Sequence, residues 1–270
     1  MLIVLYLLGV AVFAQDARTI VERSVAVTTL DPAVEREYTY RMRSEQREAD
    51  RSGALRQKES TLSEVLYFGG KRFSHILQKN DRPLPEREAR KEQAKLDKAA
   101  AEASRLSPAE KAKREAEAEK HRAEDREFMQ SVLKAYEFTL EGETTLDGRP
   151  AWRIGCTPRA SYRGKHDGLF RKLQGTLWID QQDYHWARVE AEALDTISWG
   201  LFLARIAPGM RVMFELNRVN DEVWLPKRVE FAGSARVGLV KKFNVNQVIT
   251  FSDFRRYSAD SRITEVAAQQ

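Results

Sequence analysis

The sequence predicts an α+β protein that is mainly antiparallel β: a curled, open half-barrel with an N-terminal helix and an inserted, charged helical hairpin. Three observations predict it. From residue 38 onward most apolar side chains recur with a period of two. Pairs such as Gly69-Gly70 and Asp147-Gly148 separate those runs at hairpin length. No strand–helix–strand alternation occurs, which argues against a parallel sheet.

The chain opens with fourteen residues, Met1 to Ala14, that carry no charge. As a helix they reach ~21 Å, short of a ~30 Å hydrocarbon core. They end in Val12-Phe13-Ala14 and turn polar at Gln15-Asp16. This reads as a signal peptide cut after Ala14, although no Lys or Arg precedes the apolar run. Export to the periplasm or beyond is the expectation, with a mature body over 15–257 and a polar, fraying tail over 258–270. No Cys follows the apolar run, so lipid attachment there is not expected.

Asp16 to Leu30 places Ile20, Val21 and Val25 near one helical face, and Asp31-Pro32 ends that helix. Tyr38, Tyr40 and Met42 then alternate with charged residues, a strand with one apolar face. A second strand ends at Val65-Leu66-Tyr67-Phe68, and a third follows Gly69-Gly70. Asn80 to Pro85 stops it.

Residues 86–134 differ in kind. Ala, Glu, Lys and Arg dominate, Gly is absent, and 86–127 holds 12 basic and 12 acidic residues. Ser107-Pro108-Ala109-Glu110 sets Ser at an N-cap, Pro at the first helical position and Glu three beyond the cap. The segment is therefore two helices, about 86–104 and 108–135, within an insertion spanning 84–135. Its apolar content is mostly Ala until Phe128, Val132, Leu133 and Tyr136. The expectation is an antiparallel pair whose outer part projects into solvent.

From 137 the period of two returns. Phe138, Leu140, then Trp152, Ile154 and Cys156, then Leu173, Leu177 and Ile179 mark strands. Ala187, Val189 and Ala191 mark another, and Met210 to Leu216, Glu222 to Phe231 and Phe243 to Phe251 mark the last three. About ten strands, nearly all neighbours in sequence, form a meander long enough to curl.

Composition bounds the function. Lys and Arg number 45 against 40 Asp and Glu, a net charge of +5, which does not demand a nucleic acid. The single Cys156 rules out a disulfide framework and reads as a small buried apolar residue. His75, His121, His166 and His185 show no metal-ligand spacing, and no metal or cofactor is expected. Neither a nucleophile elbow nor a P-loop occurs, so an enzyme is not expected. Asp180 reads as a strand-end Asp before a turn rather than a catalytic acid.

Two features remain. Arg159, Arg163, Lys165, Arg171 and Lys172 cluster in a basic loop with Tyr162, Leu169 and Phe170, a candidate contact for an anionic membrane surface. The run from Ile197 to Ile206 carries Trp199, Leu201, Phe202 and Leu203 around Gly200, either core or the lip of a hydrophobic cavity. The candidate lining of such a cavity is Tyr38, Tyr40, Met42, Trp178, Trp199, Phe202, Phe214, Trp224 and Phe243. A one-residue slip in register would reverse any of these assignments.

Several segments together resemble the bacterial outer-membrane lipoprotein-sorting proteins, the superfamily of Lol carriers and RseB-type proteins. They are Val65 to Phe73, Leu146 to Ile154, Gly175-Thr176-Leu177-Trp178-Ile179-Asp180, and Arg188-Val189-Glu190. The likeness covers most of 16–257, with the insertion as a departure. It implies a half-barrel over a greasy concavity that holds acyl chains or an acylated protein without catalysis. The alternative is an envelope sensing module that docks a protein partner through the helical hairpin. A monomer is expected.

Overall fold

The computed structural model describes residues 16–27, 37–49, 54–199, 204–237 and 241–256. The expected signal peptide and tail lie outside these residues. Four helices are described: α1 (Ala17–Val27), α2 (Glu86–Ser104), α3 (Pro108–Ala135) and the single-turn α4 (Asp167–Phe170). None is long and apolar enough to cross a membrane. The strands are β1 (Tyr38–Ala49), β2 (Leu55–Phe68), β3 (Lys71–Lys79), β4 (Arg82–Pro83), β5 (Tyr136–Leu146), β6 (Arg149–Pro158) and β7 (Leu173–Asp180). They continue with β8 (Trp186–Ala193), β9 (Ile197–Trp199), β10 (Ala204–Ile206), β11 (Arg211–Val219), β12 (Val223–Val237) and β13 (Lys241–Arg256).

All pair in one open antiparallel sheet, ordered β4-β3-β2-β1-β13-β12-β11-β8-β7-β6-β5, with β9 and β10 as a side branch on β12. The architecture is thus the predicted one, but the order is not a plain meander. β1 pairs with β13, so the first and last strands meet in the middle of the sheet. β4 and β5, adjacent in sequence among the strands, form its two edges. The α2–α3 hairpin joins those edges.

That hairpin is set by its cap. Ser107 Oγ accepts from Glu110 N, and Glu110 Oε2 accepts from Ser107 N at 2.8 Å, closing a capping box in front of Pro108. The helix limits match the sequence reading, but the hairpin does not stand away from the body. Its tip sits on the β2–β3 turn, where Arg114 Nη1 donates to Gly69 O at 2.9 Å. Gly69 has φ +53°, and a Cβ there would meet Leu106 Cδ1 at 2.5 Å, so glycine is needed for both conformation and space. Lys79 pairs with Glu88 at the base of α2. At the far end of α3, Val132 and Ala135 join the main core.

The main core lies under α1. Ile20 and Val21 are wholly buried against Ile154, Leu177, Ile179, Tyr136 and Phe170. The sequence predicted this helix from the same residues. Two smaller clusters lie elsewhere, one of Ala193, Ile197 and Met210, the other of Tyr38, Val219 and Leu225.

Candidate functional site

Cross-strand partners share a face of the sheet, so the register sorts its side chains into two sets. One row reads Leu140, Ile154, Leu177, Val189, Phe214, Val229 and Ile249, running through β5, β6, β7, β8, β11, β12 and β13. Every member is apolar. Burial divides this row in two. Beneath α1, Ile154 is 0% and Leu177 4% exposed. From Val189 to Ile249 the side chains are only half-buried. Phe214, Val229 and Ile249, with neighbouring Met42 and Phe251, lie outside the three buried clusters. The result is an apolar strip that one helix covers at one end.

The opposite face is charged. Its row runs Arg153, Trp178, Arg188, Glu215, Arg228, Thr250 and Arg43. Trp178 lies between two guanidinium groups, with Arg188 at 5.1 Å and Arg153 at 6.0 Å from the ring centre. The largest described groove, about 580 Å³, lies mainly on this face; Glu190, Glu192, Arg211, Met213 and Glu230 contribute to its lining. Its carboxylates are engaged: Glu190 pairs with Arg188, Glu192 with Arg211 and Glu230 with Arg228.

A second cavity, about 430 Å³, lies at the rim where the β5–β6, β7–β8 and β11–β12 turns meet. Arg149 grips Asp180 at two points, 2.7 and 2.8 Å, and also reaches Asp183 at 3.0 Å. Asp180 is 1% exposed and caps its turn by accepting from the amides of Gln182 and Asp183. Burial pushes its carboxyl up, but Arg149 and those amides outweigh burial and hold it below the usual range. The indole of Trp224 donates to Asp183 and stacks on His185 with ring centres 5.1 Å apart. Burial, the leading cause, holds the His185 imidazole below its ordinary value, against the opposing influence of the Trp186 carbonyl, Asp183 and Asp180. Lys227 ties Asp147 to Glu215. These groups satisfy one another, which suits a structural lock.

The predicted lining residues do not share one surface. Met42 and Phe214 lie on the apolar face. Tyr40 shares that face, 2% exposed with its ring against Phe251, while Tyr38 is a wholly buried core side chain whose hydroxyl donates to Glu222. Trp178 is on the charged face and Trp224 at the rim. The backbones of Trp199 and Phe243 belong to β9 and β13, but their side chains, and all of Phe202, lie outside the described residues. Trp178 directly follows Leu177 in unbroken register and so takes the opposite face, while irregularities at Thr39/Arg41 and Glu215/Leu216 interrupt the parity of β1 with β13 and of β11 with β12. Val229, Ile249 and Phe251 were missed, although their alternation within β12 and β13 was a usable signal.

The basic loop is also built into the body. Phe170 is buried against Tyr136, Phe128 and Tyr162. Arg159 donates to Tyr136 O, Arg163 to the carbonyls of Ala160 and Tyr162, and Lys172 to Thr196 O. Lys165 pairs with Glu127 and Arg171 with Asp167. Cys156 is buried too, and burial pushes its thiol up to about 12, away from reactivity. Among the described residues, no group of three His, Cys, Asp or Glu side chains is placed to hold a metal ion.

No protein-family model and no curated protein matches the chain. Similar solved structures do exist. One is a LolA superfamily protein from Nitrosomonas europaea, 10% identical, covering 91% of this chain and 95% of that one, TM-score 0.30. Another is an outer-membrane lipoprotein-sorting protein domain from Vibrio parahaemolyticus, 10% identical, covering 90% and 95%, TM-score 0.31. A third is the Pseudomonas aeruginosa MucA/MucB complex, 10% identical, covering 91% and 100%, TM-score 0.24.

Proposed function

We propose that the protein is a non-catalytic envelope carrier that holds a lipid, an acyl chain or an acylated protein on its apolar face. One observation carries this reading. An unbroken apolar row crosses seven strands, is sealed by α1 at one end, and stays half-exposed from Val189 to Ile249. Exposed apolar strips of this kind mark binding surfaces. Each methylene laid there contributes about 0.8 kcal/mol, so one long acyl chain offsets the cost of its own ordering. The superfamily resemblance supports the same class of cargo.

The test is native mass spectrometry of protein purified from the envelope, followed by titration with a fluorescent fatty acid. Co-purified lipid mass and saturable probe binding, weakened about tenfold or more by Phe214→Asp with the fold retained, are expected. A clean apo mass together with no probe binding overturns the reading. Docking of a partner through the hairpin tip gains less support, because Leu106 and Arg114 already seat that tip on the β2–β3 turn.

A further inference from the structure

The apolar row ends at β1 and β2 in hydrogen-bonding side chains. Ile249 is paired with Ser44, and Ser44 with Thr61. Gln247 Nε2 donates to Ser44 Oγ at 2.9 Å on the same face. Two cations reach this end from β3: Lys79, which is paired with Thr61 and tied to Glu88, and Arg72. Arg72 is the partner of Tyr67, two residues along β2 from Val65, so it shares the face of Val65 and Met42. Its Nη2 lies 3.1 Å from Met42 Sδ, a weak acceptor. Arg72 is exposed, and among the described residues it forms no ion pair with a carboxylate. Its neighbours differ: Arg41 pairs with Asp253, and Arg43 with Glu45 and Asp81.

An apolar strip ending beside an uncompensated guanidinium has the polarity of an anionic amphiphile. Resting on the carrier reading above, we propose that the ligand is a long-chain fatty acid. Its carboxylate is held by Arg72, and its chain lies across β1, β13, β12 and β11 toward α1. Four inter-strand steps of about 4.8 Å separate β1 from β8, about 19 Å in all, the reach of one long acyl chain. A single guanidinium fork matches a carboxylate monoanion, with two parallel N–H donors for its two oxygens. The neighbouring Ser44 and Gln247 add neutral polar groups; Glu88 is taken up by Lys79, and the exposed Glu59 is paired with Gln46, four residues along β1 from Met42.

The experiment is displacement of a fluorescent fatty acid from the full chain by palmitate, methyl palmitate and lysophosphatidic acid. It compares wild type with Arg72→Ala and Arg72→Lys. Palmitate should displace the probe at about one-tenth the concentration its methyl ester needs, the size of one charge-assisted contact. Arg72→Ala should close that gap by weakening palmitate alone, and Arg72→Lys should restore part of it. If ester and acid compete equally and Arg72→Ala changes neither, the head-group assignment falls while the carrier reading stands. Stronger competition by lysophosphatidic acid than by palmitate overturns the choice of a carboxylate. Failure of the probe to bind at all removes the carrier reading, and this inference with it.

Discussion

The indole Nε1 of Trp186 donates to Ser24 Oγ at 2.8 Å, and that hydroxyl donates to Val21 O at 2.7 Å. The relay pins α1 to β8 at the point where the covered apolar strip gives way to the half-exposed one. Ser24 is wholly buried, so water cannot replace it. Ser24→Ala leaves the indole N–H without its partner and should lower stability by about 1–2 kcal/mol. Adding Trp186→Phe should recover part of the loss. Thermal denaturation of the single and double variants checks both statements, and strictly additive losses would remove the relay.

Arg149→Ala should be among the more damaging rim substitutions. It strips a buried carboxylate of its only two-point partner, at a cost of about 2–3 kcal/mol after allowing for the partial exposure of Arg149. A pH effect accompanies it. Asp180 ionises more readily folded than unfolded, so its contribution is present above its ordinary value of 3.8 and fades as pH falls through the lower folded value. Without Arg149, only the Gln182 and Asp183 amides oppose the effect of burial on the carboxyl, and the acid limb of a urea-midpoint curve should move toward neutral pH.

His185 works with the same sign for a different reason. Its folded form resists protonation, so the unfolded chain binds the extra proton first. Stability should decline as pH falls below about 6.5 and level off once the folded imidazole is protonated. His185→Phe keeps an aromatic ring against Trp224 and should flatten that decline. A slope unchanged between pH 7 and 5 would show that other groups cause it.

Gly69→Val should loosen the hairpin without unfolding the sheet. A β-branched residue is strained at φ +53° and presses on Leu106 and Arg114. Trypsin should then cleave faster after Arg105 and Arg114, with the β-sheet circular dichroism unchanged. Ser107→Ala, which opens the capping box, should cost about 1 kcal/mol and raise the same cleavage more modestly.

Local chemistry was legible in the sequence. The Ser107-Pro108-Glu110 cap fixed where two helices divide, and Gly69-Gly70 and Asp147-Gly148 marked hairpins that the structure contains. The face of α1 was readable from Ile20, Val21 and Val25. Long-range facts were not. No local signal says that Met42 pairs with Phe251 or that β11 skips β9 and β10 to join β8. The candidate site needed those pairings, because a strip of apolar residues from seven strands exists only once the register is known. Trp178 shows the cost. Its alternation looked like that of a lining residue, yet its ring rests between arginines on the far face.

The position of β13 carries a kinetic consequence. It is the strip that stitches β1–β4 to β5–β12, and among the described strands it follows all the others along the chain, so it leaves any machine that delivers the chain from its N-terminus after them. Until it arrives, β1 and β12 are raw borders with unmet backbone groups, and two partial sheets must wait without fusing to other molecules. Joining of the two halves of the described sheet therefore waits on β13, and the interval before that strand docks is the time when their borders are most exposed to aggregation.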